Sequence, residues 1–384
     1  MKIALNATII EDKPRGLGVY AINIITRLLP QIENAVVFTA HPESLKSSVP
    51  HIRKVSSWVR PASGKFNRKL AAALRFLWTQ TVLPLTTLGN RIDIYYSPTQ
   101  HGQIWLPKGS SQIITVHDLL PLQYPSLRRH QQLYYRVLLP LVLKKSAAII
   151  TVSESTKGDL IQFYNYPAEK IHVVYNGYDQ DVFNPSGTPA SDGKYFLTIN
   201  AHHPYKNVQA VLDAYKNLAD SLEHELIIVT PEPDSAYVRE LKSKVALYGL
   251  EKRVHFKGYV DSKELVELYH GATALVYPSL YEGFGLPPLE AMACGCPAIV
   301  SNTSSLPEVC GNAAYGVDPQ DTAAMSEAMF KVATDKALRE RLHEDGLSRA
   351  KLFSWDRAAE DIYEVITKVH RESKSERLRY NTDT

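Results

Sequence analysis

Apolar residues fall along the chain in short β-branched runs separated by stretches with helical spacing. Runs over 2–6, 35–39, 92–97, 113–117 and 148–153 read as strands, with a helix over 20–29 after the first. Many of these runs are continuous rather than alternating, as a parallel sheet covered on both faces requires. A polar, turn-rich segment follows at 184–193 (NPSGTPASDG) and reads as a linker. The alternation then restarts, with strands over 195–200, 225–229, 254–257, 274–278 and 298–301 and a helix over 208–219. Two successive βαβ series predict an α/β protein of two doubly wound, Rossmann-like domains facing each other across a cleft. The first spans 1–184 and the second 194–354. The C-terminal segment 355–384 is expected to pack back on the first domain through a helix over 355–369, with a charged, frayed tail from 372.

Composition narrows the class. A chain of 384 residues suits two domains of roughly 190 residues, each able to bury a full core. No run of about 18 apolar residues is present, so no spanning helix is expected. The first ten residues, MKIALNATII, show no cleavage pattern, so no signal peptide is expected. Three cysteines, Cys294, Cys296 and Cys310, cannot staple a fold of this size, which points to a reduced, cytoplasmic protein. The net charge of +3 is the sum of +10 over 1–190 (21 Lys and Arg, 11 Asp and Glu) and −7 over 191–384 (22 and 29). The first half is therefore expected to meet something anionic.

The richest chemistry lies in VYPSLYEGFGLPPLEAMACGCPAIVS, which reads strand, glycine loop, helix, strand. Gly283 and Gly285 free the backbone to turn its N–H groups inward. Pro287 and Pro288 suit a helix start, and a helix N-terminus after such a loop is an anion site. Glu282 on the loop and Glu290 on the helix can take hydroxyl groups while amides take a phosphate. By spacing alone, an ordinary βα turn with two solvated glutamates reads equally well. Lys206 stands at the start of the 208–219 helix, where the dipole disfavours a cation unless an anion is present. A solvated surface lysine is the plain alternative.

Glu282-x7-Glu290 with GFGLP, the Pro204-x-Lys206-Asn207 segment and the glycine loop Lys13-Pro-Arg-Gly-Leu-Gly18 together resemble the family 4 retaining glycosyltransferases of the GT-B fold. VHDLLPLQYP, SESTKGDL, VVYNGYD and SNTSSLPEVCGNAA extend the resemblance over nearly the whole chain, most closely to bacterial enzymes of surface-polysaccharide synthesis. The resemblance implies that Lys206 neutralises the donor diphosphate and Glu290 accepts the ribose hydroxyls. Glu282 and the amides of Gly283, Phe284, Gly285 and Leu286 would hold the hexose and phosphates, and Tyr259 and Val260 after Gly258 the nucleobase. Many relatives carry an arginine before the lysine; here Asn200-Ala-His202 occupies that stretch, with His202 the candidate substitute, neutral or protonated, and a second cation on the diphosphate left open. Gly16 and Gly18 would close over the diphosphate, with Arg15, Leu17 and Asp118 on the acceptor side. His117, at the end of the IITV strand, would contact the transferred hexose by its backbone carbonyl or its imidazole.

Asp179-Gln-Asp181 is a D-x-D pattern, but it follows NGY rather than a nucleotide-binding strand and reads as turn chemistry. Cys294 and Cys296 have too few partners for zinc and read as structural. No metal and no cofactor are therefore expected beyond the nucleotide diphosphate sugar as co-substrate. Over 65–78, KFNRKLAAALRFLW, the residues Phe66, Leu70, Leu74 and Leu77 share a helical face, with Lys65, Arg68, Lys69 and Arg75 largely off it and Trp58 and Trp78 flanking. Such a helix can lie on an anionic membrane, on the inner face of the plasma membrane, or pack its leucines into the core.

These readings converge on a metal-independent hexosyltransferase. It would act with retention, UDP-glucose slightly ahead of GDP-mannose as donor, on a lipid-linked or saccharide acceptor, without nucleic acid. A sugar nucleotide 2-epimerase and a non-catalytic nucleotide-sugar binding protein share the architecture. A nicotinamide dehydrogenase would need the G-x-G-x-x-G fingerprint, which is absent.

Overall fold

The computed structural model describes residues 1–11, 14, 16–45, 52–55, 68–186 and 194–382. The chain forms two compact units, Met1–Gly177 with Trp355–Thr384, and Tyr178–Ser354. The division falls at 177/178, whereas the sequence reading ended the first domain at 184.

The first unit carries a seven-stranded sheet: β1 (Lys2–Asn6), β2 (Asn34–Thr39), β3 (Ile52–Lys54), β4 (Ile94–Ser97), β5 (Ser111–Val116), β6 (Ser146–Thr151) and β7 (Ile171–Val173). Its order is β3-β2-β1-β4-β5-β6-β7, with every pair parallel. The second unit has six strands: β8 (Tyr195–Ile199), β9 (Glu225–Val229), β10 (Val254–Lys257), β11 (Ala274–Tyr277), β12 (Ala298–Ser301) and β13 (Tyr315–Val317). Their order is β10-β9-β8-β11-β12-β13, again parallel throughout. In each sheet the strand order reverses once, between β1 and β4 and between β8 and β11. Such switch points leave a crevice beyond the carboxyl ends of the two strands, where ligands bind.

Burial explains the continuous apolar runs: β4, β8, β11 and β12 are buried at every position. The strands absent from the sequence reading, β3, β7 and β13, have three residues each, too short to show a period. The first helix, Gly16–Leu28, begins four residues earlier than expected. Gly16, Leu17 and Gly18 thus form its first turn instead of a free loop. The last helix runs from Trp355 to Thr382 rather than fraying from 372. Ser373 Oγ lies 2.7 Å from Ser111 Oγ at the start of β5, which ties this stretch to the first sheet.

That helix joins the first unit through Trp355, buried, whose ring meets Tyr20 edge-on at 5.8 Å. Replacing a buried aromatic by alanine costs about 3–5 kcal/mol. Trp355→Ala should therefore lower the urea midpoint of the first unit markedly, as followed by circular dichroism. An unchanged midpoint would show that the helix docks by other contacts.

Candidate active site

The loops after β8 and β11 meet at the second switch point. After β8 the chain turns through Asn200, with φ 59°, and reaches a single 3₁₀ turn at Pro204–Lys206. Asn207, with φ 58°, then leads into the Val208–Lys216 helix. After β11, the amide of Leu280 donates to the Tyr205 carbonyl at 2.8 Å and ties the two loops together. Lys206 is consequently buried rather than presented at a solvated helix start. Its Nζ donates to Glu282 Oε1 at 2.5 Å and to the Tyr277 hydroxyl at 2.7 Å, and that hydroxyl donates to the same Glu282 oxygen at 2.8 Å. The Tyr205 and Tyr277 rings each lie 5.1 Å from the ammonium. Burial opposes the charge on Lys206, but Glu282 outweighs it and holds the ammonium above its usual range.

The glycine loop is fixed from behind. Ser304 Oγ accepts from the Glu282 amide at 3.0 Å, while Ser305 Oγ reaches the carbonyls of Glu282 and Phe284 at 3.0 and 2.6 Å. Phe284 packs edge-on against Phe353. Gly285 has φ 112°, and a Cβ there would meet Leu306 Cδ2 at 2.5 Å, so only glycine fits. The Leu286–Ala293 helix begins directly after it. Pro287 and Pro288 have no N–H, so the amides of Gly285 and Leu286 are what its start can offer an anion. Glu290 lies half-buried one turn further on, and burial, with Asp179 adding repulsion, pushes its carboxyl up to about 8. Tyr259 is 78% exposed beyond β10, an open ring face, with Val260 beside it half-buried. His202 is half-buried with its ring 4.1 Å from that of His203. Asp179 accepts from the Asp181 amide at 3.2 Å and from the amides of Val182 and Phe183, which is turn chemistry. The three cysteines are buried, with thiols pushed up to about 12 by that burial.

In the first unit, His117 is buried just after β5. Its Nε2 donates to the Pro98 carbonyl at 2.8 Å, and its ring meets Tyr20 edge-on at 4.5 Å. Burial lowers its pKa to about 4, so the imidazole is neutral at pH 7. Its backbone carbonyl accepts from Thr156 Oγ1 at 3.3 Å. Asp118 Oδ1 caps the following turn by accepting from Leu120 N at 3.0 Å. A Cβ on Gly18 would sit 3.3 Å from Pro14 Cβ. Arg15 lies outside the described residues.

The helix expected over 65–78 runs from Arg68 to Gly89, and its inner face differs from the expected one. Trp78, Thr79, Leu83 and Thr87 are buried, whereas Leu70 and Leu77 are exposed. Arg75 lies on the inner stripe, four residues before Thr79, so it is not a surface cation. Lys65, Phe66 and Trp58 lie outside the described residues, as do the side chains of Arg68 and Lys69. The sequence reading also missed Tyr277, the apex of the Lys206–Glu282 contact. Its signal was its place as the last residue of the ALVY strand, five before Glu282.

Because Lys206 is buried with Glu282, deleting one partner strands the other. Glu282→Ala should destabilise the second unit by roughly 3–5 kcal/mol. Lys206→Met combined with Glu282→Leu should recover much of that loss. If urea denaturation places Glu282→Ala and the double variant at the same stability, the pair is not coupled as described.

Two family models match the chain: one described as Glycosyltransferase Family 4 over residues 14–182, and one as Glycosyl transferases group 1 over 179–349. The O-antigen chain mannosyltransferase RfbU of Salmonella typhimurium is 38% identical over 227 residues, 59% of this chain and 62% of that protein. The O-antigen chain mannosyltransferase B of Escherichia coli is 29% identical over 93% of this chain and 97% of its own. Among solved structures, a sucrose-phosphate synthase from Thermosynechococcus elongatus matches with TM-score 0.77 at 21% identity, over 97% of this chain and 99% of that one. Anabaena HepE in complex with UDP and glucose matches with TM-score 0.72 at 19% identity, over 96% and 100%. With its two doubly wound parallel sheets and both models in sequence along it, the chain belongs to the family 4 glycosyltransferases and has the GT-B fold.

Proposed function

We propose that the protein transfers a hexose from a nucleoside diphosphate sugar to a saccharide or lipid-linked acceptor in surface-polysaccharide synthesis, with retention at the anomeric carbon. The observation that carries this reading is the group around the second switch point. It combines a buried cation at Lys206, a glycine-fixed helix start at Gly285 and Leu286, and Glu290 waiting on the same helix. Lys206 and the amides would take the diphosphate, Glu290 the ribose diol, and Tyr259 the nucleobase by stacking. In the reaction the bond from the anomeric carbon to the diphosphate oxygen breaks and the acceptor oxygen takes its place on the same face. The acceptor proton passes to the leaving diphosphate. Positioning and fixed positive charge supply the catalysis. His117, neutral and held by Pro98, would serve the transferred hexose.

Sequence alone leaned to UDP-glucose. Relatives named as mannosyltransferases, at 38% and 29% identity, favour a mannosyl donor, and GDP-mannose is the donor we propose. For location we propose a peripheral contact with lipid by the first unit. Its support is the leucine face of the Arg68–Gly89 helix, where Leu77 is 54% and Leu85 64% exposed. The sequence reading gave this role to Arg68, Lys69 and Arg75; Arg75 lies on the inner stripe, and the side chains of Arg68 and Lys69 lie outside the described residues. No helix among the described residues is long and apolar enough to cross a membrane.

Glu290 also gives the reading a pH signature. With its carboxyl at about 8, it is largely protonated at pH 7 in the free protein, yet accepting both ribose hydroxyls needs the carboxylate. Nucleotide binding at pH 7 should therefore release a proton, and affinity should rise toward pH 9. Calorimetry with GDP and UDP, in buffers of different ionisation heat, measures both effects. Glu290→Gln should abolish the proton release and weaken binding by roughly 1.5–3 kcal/mol. Unchanged affinity and proton count in that variant would remove Glu290 from the site.

Lys206 and backbone amides can balance the diphosphate without a bound ion, so transfer should survive excess EDTA. Complete loss on chelation, restored by manganese or magnesium, would return Asp179 and Asp181 as metal ligands.

A further inference from the structure

The first unit has a cavity of about 600 Å³ at its own switch point, in the size range of ligand sites. Its lining is polar at Asn6, which ends β1, at Thr8 just past it, and at Thr99, Gln100 and His101 beyond β4; an apolar wall is formed by Phe76, Leu133 and Leu138. Leu133, 69% exposed, marks the mouth. A π-helical turn at Tyr134–Leu138 swings Tyr134 and Tyr135 onto the wall, a distortion common at functional sites. Tyr134 donates to the Gln100 carbonyl at 2.7 Å and Gln100 Nε2 to the Tyr135 hydroxyl at 2.8 Å, so the wall is preformed.

Arg75 lines this cavity, and its Nη1 is shut off from solvent with no hydrogen-bond partner among the described residues. Among the described residues no carboxylate stands within ion-pair distance of Arg75, Glu11 acting on it only from further off, and burial keeps neighbouring His101 neutral, its pKa lowered to about 3. The helix that carries Arg75 is tied to the segment after β4. Gln80 Nε2 donates to the Gly102 carbonyl and Gln80 Oε1 accepts from the Ile104 amide, both at 2.8 Å. A buried guanidinium N–H without an acceptor costs stability unless a ligand supplies one. Its planar fork suits a phosphate, and the wall suits a hydrocarbon chain.

We propose that this cavity holds the phosphate-bearing end of an amphiphilic acceptor, with the phosphate on Arg75 and the first carbons of the lipid against Phe76, Leu133 and Leu138. This rests on, and sharpens, the proposed transfer to a lipid-linked acceptor. The exposed leucines of the same helix that carries Arg75 would bring the cavity to a lipid surface.

Calorimetry on the full chain with decyl phosphate, inorganic phosphate and neutral decyl mannoside, each below its micelle-forming concentration, tests it. Decyl phosphate should bind most tightly. Arg75→Met should weaken it about tenfold to a hundredfold, the range for a charge-assisted hydrogen bond, and Arg75→Lys should restore part of the loss. Arg75→Met should also raise the melting temperature of the free protein, which a merely structural arginine would not do. Equal binding of decyl mannoside, equal binding of inorganic phosphate, or an Arg75→Met variant that binds like wild type would overturn the proposal. GDP and UDP titrated into the same samples separate the two levels. Nucleotide binding without decyl phosphate binding sinks this inference alone; failure of both sinks the transferase reading beneath it.

Discussion

The contact between Lys206 and Glu282 organises the second unit's site. It joins the loop after β8 to the loop after β11 across a switch point, with Tyr277 closing the triangle. Neither charge would be tolerable there alone. Together they keep a cation in place before any donor arrives. In the proposed function the donor phosphate would take the place the carboxylate holds, exchanging one anion for another at a fixed ammonium. Such preorganisation suits a reaction in which charge develops on a leaving diphosphate.

The same geometry recurs in the first unit with a different result. Both sheets are parallel and doubly wound, and both open where their strand order reverses. At the second switch point the cation is paired, whereas at the first the Nη1 of Arg75 has no hydrogen-bond partner among the described residues. In the functions proposed for them, the paired cation would exchange its partner for the donor phosphate, and Arg75 would gain an acceptor for its Nη1 from its ligand. The two units therefore differ in electrostatics more than in topology, in keeping with the +10 and −7 split of the chain.

Much of the fold was legible because buried parallel strands leave continuous apolar runs, and β1, β9 and β12 lie where those runs are. The three-residue strands were not, since a period needs more positions than they have. Glu282, Glu290 and Lys206 could be singled out because glycines, prolines and charges cluster around them. What stayed hidden was direction. Lys206 could be placed near a helix start but not turned inward onto Glu282. The Arg68–Gly89 helix carries two stripes, and its leucine spacing suggested the wrong inner face. The inner stripe, with Thr79 and Thr87 buried and Arg75 half-buried, is polar enough to pass for a surface. Only packing against Gly102 and Ile104 through Gln80 decides between them.

A structure of the protein with a bound nucleoside diphosphate tests the central claim most directly. The account requires a phosphate oxygen within hydrogen-bond distance of Lys206 Nζ, another on the amides of Gly285 and Leu286, and the ribose hydroxyls on Glu290. A nucleotide bound elsewhere, with the Lys206–Glu282 contact intact and Glu290 unengaged, would contradict it.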